Sequence, residues 1–86
     1  MPEISRFYGI VIAMFYDDHS PSHFHARYGK DHVAIEISPL RVLEGHIPHR
    51  ALGLVMEWAS QHQEELLTDW RLAKGDKPPK KIAPLA

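Results

Sequence analysis

The spacing of apolar residues changes once along this chain, and that change confines it to a narrow set of folds. From Phe7 to Gly45 the apolar side chains come in short runs broken by turn formers, whereas from Pro48 onward they recur at steps of three and four. The first pattern belongs to β-strands and the second to amphipathic helices. The expected fold is therefore α+β: an antiparallel sheet of three or four strands with two C-terminal helices packed on one face.

The strands are expected as follows. Phe7 to Tyr16 is rich in aromatic and branched residues and carries no charge, which reads as one strand. Its alternation sets Phe7, Val11, Ala13 and Phe15 on one face and Tyr8, Ile10, Ile12, Met14 and Tyr16 on the other. Both faces are apolar, so this strand needs cover on two sides, from a central place in the sheet or from a second subunit. The turn formers Asp17 to Ser22 lead into a strand from His23 to Tyr28, and Gly29-Lys30-Asp31 turns the chain into a third from His32 to Ile37. Ser38-Pro39 ends it, and Val42 to Gly45 can form a short fourth.

Pro48 suits a first helical position, where its missing N–H would be unpaired anyway. Leu52, Val55, Met56 and Ala59 make the first apolar stripe, and Leu66, Leu67, Trp70 and Ala73 the second, after the polar stretch Ser60 to Glu65. These are two helices or one bent helix. Truncating Leu52 or Trp70 should remove core. Lys74-Gly75 and then Pro78-Pro79 stop the second stripe. Residues 75–86 are expected to be extended or mobile unless Ile82 and Leu85 dock.

With 86 residues the chain can hold one modest core, so residues 1–86 form a single domain. A net charge of −1 excludes a broadly basic surface, and nucleic-acid contact would need a local patch such as Lys74, Lys77, Lys80 and Lys81. There is no cysteine, which excludes disulfides and thiolate sites. The start Met-Pro-Glu-Ile-Ser-Arg lacks the pattern of a signal peptide, and no apolar run approaches the ~20 residues of a membrane span. A cytoplasmic protein is expected.

Seven histidines stand out in so short a chain. On a strand, period two puts His23, His25 and Arg27 on one face, opposite Phe24. Two imidazoles on one side of a strand can reach one zinc-like ion, with His19, Asp17 or Asp18 as a third ligand and an open position for water. The metal candidates are thus His19, His23 and His25. Without an ion, His23 and His25 can act as general base and acid while Arg27 holds a phosphodiester. A second cluster, His46, His49 and Arg50, lies at the start of the first helix, where unpaired N–H groups attract anions; Arg50 can equally pair with Glu44 or Glu57.

Several segments resemble the domain-of-unknown-function family numbered 4160: Pro2 to Ile10, Asp18-His19-Ser20-Pro21-Ser22-His23-Phe24-His25, Val42-Leu43-Glu44-Gly45, Arg50-Ala51-Leu52, Glu57-Trp58-Ala59, and Glu65 through Trp70 to Lys81-Ile82. Pro21-Ser22 stands where members often carry two prolines. The resemblance implies a short bacterial protein, often encoded beside another small protein in a toxin–antitoxin-like arrangement, with no established catalytic residue. On that likeness and the two-faced first strand, the leading expectation is a protein-binding or regulatory module, acting with a protein partner or a second copy. The alternative is a His-dependent, metal-assisted hydrolase or ribonuclease using His19, His23 and His25.

Overall fold

A computed structural model describes residues 2–16 and 18–86. Five strands, β1 (Glu3–Phe7), β2 (Ile10–Ala13), β3 (His23–Tyr28), β4 (Asp31–Glu36) and β5 (Arg41–His46), precede two helices, α1 (His49–Gln61) and α2 (Gln63–Lys74). The strands pair antiparallel in the order β1-β2-β3-β4-β5, so each pairs with its neighbour in the chain. This is the expected α+β architecture with one strand more than the pattern suggested.

The extra strand arises where a single strand was expected from Phe7 to Tyr16. Tyr8 and Gly9 both take positive φ, 49° and 79°, and Phe7 pairs with Ile10 across them. Two successive positive φ angles turn a hairpin with the twist its strands prefer. Asn or Asp usually fills the first of those positions, so Tyr8 leaves the apolar run unbroken and hides the turn.

The hairpin settles which face is core. Ile10, Ile12 and Met14 are fully buried, joined by Ile4 and Phe7 from β1, Phe24 and Ala26 from β3, and Val33 and Ile35 from β4. Phe7 therefore lies on the core side and not with Val11. Of the two apolar faces expected to need cover, the one with Ile10, Ile12 and Met14 is buried within one copy, while Tyr8 and Tyr16 stay exposed. The opposite face carries Val11 and Phe15, both half-buried, beside His25 and Arg27.

The helices cover the core face. Ala51, Val55, Trp58 and Ala59 are the buried positions of α1, and Leu66, Asp69 and Ala73 those of α2. Leu52, Met56 and Trp70, expected among the main core residues, are only partly buried. The α1 stripe is rotated so that Trp58 fills the centre against Phe7 and Phe24. His62, with φ −132° and ψ 24°, breaks the run into two helices. Pro48 is the N-cap, one position before the helix, with extended backbone.

The C-terminal segment has no regular element, and it docks. Ile82 donates its backbone N–H to Ile4 O at 2.8 Å, Lys80 donates its own to Asp69 Oδ1 at 2.9 Å, and Ile82 is buried. Among the described residues no helix is long and apolar enough to cross a membrane.

Candidate metal centre

His23 and His25 stand at alternate positions of β3, so extended backbone sends both imidazoles to one side while Phe24 enters the core. The loop before β3 carries Asp18 over them. Asp18 Oδ2 lies 2.9 Å from His23 Nε2 and 3.0 Å from His25 Nε2, so one carboxylate oxygen meets two rings. The three ligand atoms lie within 4.8 Å of one another.

The remaining ring nitrogens are engaged as well. His23 Nδ1 donates to Pro21 O at 2.7 Å, two residues back along the turn. His25 Nδ1 lies 3.0 Å from His32 Nε2. Around the rings, Trp70 packs on His23 with centroids 5.2 Å apart, and Phe15 packs on His25 at 4.0 Å. Lys74 Nζ donates to Asp18 O at 2.9 Å, tying the loop to α2. The group is thus held by a turn, two strands and a helix.

Electrostatics fit a cation site. Burial pushes the Asp18 carboxyl up, but the hydrogen bond from His25, the His19 backbone N–H and, in the acid range where the carboxyl titrates, the charges of the two protonated rings outweigh it and bring it below its ordinary value. Burial dominates at His25 and lowers it, against the opposing pull of Asp18. Near neutral pH the pair is a carboxylate beside a neutral imidazole, which are the ligand forms. A tetrahedral ion with bonds of ~2.0–2.1 Å holds its ligands ~3.3 Å apart. The present N···O separations need open by only a few tenths of an ångström.

The other candidates are distributed as follows. His19 is exposed and lies outside the group; its backbone N–H donates to Asp18 Oδ1 at 3.0 Å, so it helps fix the carboxylate. Asp17 lies outside the described residues. Arg27 is exposed on the same face of β3 as His25. His46 ends β5, while His49 and Arg50 begin α1; all three are exposed and no side chain caps that helix. Among the described residues Arg50 pairs with neither Glu44 nor Glu57.

Pattern reading missed His32, Phe15 and Trp70 as neighbours of the group. The signal for His32 was present. A two-residue turn at Gly29-Lys30 pairs Tyr28 with Asp31 and Arg27 with His32, which sets His32 diagonal to His25.

A family model described as Domain of unknown function (DUF4160) matches residues 9–71, a stretch that contains β2 to α1, most of α2 and the whole group. No curated protein and no solved structure matches the chain.

Proposed function

Because the chain belongs to the family described as Domain of unknown function (DUF4160), a description that assigns no activity, we propose its function from the site alone: a divalent transition-metal centre held by Asp18, His23 and His25, with hydrolysis as its chemistry. One observation carries this reading. His23 Nδ1 faces a carbonyl oxygen and so must carry the hydrogen, which leaves His23 Nε2 pointing at a carboxylate oxygen 2.9 Å away. Two lone pairs at that distance repel unless a cation, proton or metal, lies between them.

A metal ligand of this type usually donates its second ring N–H to a carbonyl, as His23 does to Pro21. Three protein ligands leave an open position, and an ion there would acidify bound water and polarise a carbonyl or phosphoryl group. The test is a zinc titration followed on the histidine ring resonances. Those of His23 and His25 should move in slow, stoichiometric fashion, while those of His46, His49 and His62 stay put. Asp18→Asn and His23→Ala should abolish binding, and His62→Ala should leave it intact. Weak, equal shifts at all histidines would overturn the reading.

A second reading, the interaction module of a toxin–antitoxin-like pair, draws support from β5. This edge strand is exposed along its whole length, with Val42 42% and Leu43 37% accessible. An open apolar edge is a place where another chain adds a strand. Co-purification with the product of a neighbouring gene, lost on Val42→Lys, is the expected result.

A further inference from the structure

The open face of the sheet carries a second feature, beside the proposed metal site and sharing His25 with it. A groove of about 230 Å³ runs over β2 and β3, floored by Val11 and Ala13, walled by Phe15, and edged by His25, His32 and Arg27. Its surface is almost wholly apolar, and the polar side chains along it are those of His25, Arg27 and His32. No acidic residue lines it.

Arg27 brings a permanent positive charge to this groove. Among the described residues its guanidinium forms no ion pair. Glu3, whose carboxylate feels the Arg27 charge, is engaged by Arg6 through contacts of 2.8 and 3.1 Å. Arg27 and His32 are cross-strand partners, so their side chains rise side by side from the sheet. The His32 ring is taken up by His25, so the Arg27 guanidinium is the group that suits an oxyanion, and Phe15 with Val11 suits an apolar ring or short chain attached to it.

We propose that this groove binds a small organic oxyanion, a carboxylate or phosphate on an apolar body, with the anion on Arg27 and the body against Val11, Ala13 and Phe15. This goes beyond the metal reading and does not depend on it. The groove and the centre share the His25 ring, whose Nε2 faces Asp18 while its other edge meets His32.

Phenyl phosphate, benzoate, inorganic phosphate and phenol, each titrated into the metal-free protein and followed on the methyl resonances of Val11 and Ala13, test this. Phenyl phosphate and benzoate separate the two oxyanion sources, and saturable shifts from either support the site. Inorganic phosphate and phenol should each bind about tenfold more weakly, since each keeps only half of the recognition. Arg27→Gln, at an exposed position, should weaken phenyl phosphate by about tenfold while leaving the melting temperature unchanged. Phenol binding as well as phenyl phosphate, or Arg27→Gln having no effect, would overturn the proposal. So would a concentration-dependent dimer that buries these methyls, which would assign the face to a second copy.

Discussion

Trp58 donates its indole N–H to the carbonyl of Ala83 at 2.8 Å, linking the centre of the core to the last residues of the chain. The indole is fully buried, so that carbonyl supplies the partner its polar atom requires. Trp58→Phe should cost about 1–3 kcal/mol from the unmade hydrogen bond, before any packing loss. Removing residues 80–86 should cost more, because it also uncovers Ile4 and strips Asp69 of its Lys80 donor. Urea unfolding of the two variants checks this. A truncated chain as stable as the whole would show that the docked segment adds nothing.

Gly45 gives a second, sharper expectation. It sits in β5 at φ +86°, and a Cβ there would lie 2.3 Å from His32 O. Beside it, two residues of β5 face the step from Ala34 to Ile35, a bulge that fixes the strand's register. Gly45→Ala meets left-handed strain of about 1–3 kcal/mol together with a backbone clash, so β5 should detach from β4 or the domain should unfold. Hydrogen exchange of the β4 amides that face β5 reads this directly, with protection lost there first.

Leu66 and Trp70 should separate core from site. Leu66 is fully buried, and Leu66→Ala should cost about 2–5 kcal/mol. Trp70 is half-buried and lies against the His23 ring, with Lys74 Nζ 5.7 Å from its centroid. Trp70→Ala should cost less stability than Leu66→Ala yet weaken zinc by about tenfold or more, as loss of outer-shell support does. Equal damage to stability from both variants, with zinc affinity intact in Trp70→Ala, would remove Trp70 from the site.

Much of this was legible in the residues. The change of period at Pro48 separates sheet from helices because side-chain burial has different periods in the two elements. The paired imidazoles follow from two-residue spacing in an extended strand. Three things escaped for physical reasons. The Tyr8-Gly9 turn is made of residues whose apolar character matches the strands around it. The α1 stripe contains two overlapping apolar series, and only volume decides that Trp58 takes the centre and Leu52 the edge. The docking of residues 80–86, which Ile82 and Leu85 left open as an alternative, was not decided by pattern, because it depends on hydrogen bonds to Ile4, Trp58 and Asp69, which leave no periodic trace.

Asp69 carries the last expectation, in pH. It is 2% exposed; Oδ1 accepts the Lys80 N–H, while Oδ2 has no protein partner among the described residues. Burial raises its pKa, helped by the charge of Glu65 and opposed by the Lys80 N–H and ammonium, and the net direction is up. The folded protein therefore holds this proton more tightly than the unfolded chain does. By linkage, the stability from this group is fully present below the ordinary carboxylate value and is lost as pH rises through the folded value, above which it levels off. Asp69→Asn keeps an acceptor for Lys80 and cannot ionise, so it should flatten that slope. The variant should be more stable than the native chain near neutral pH, and its advantage should shrink as the pH falls to about 4, where an ordinary aspartate takes up its proton. Urea midpoints measured across that range decide it: a difference between the two proteins that stays constant with pH would mean that Asp69 does not titrate with folding.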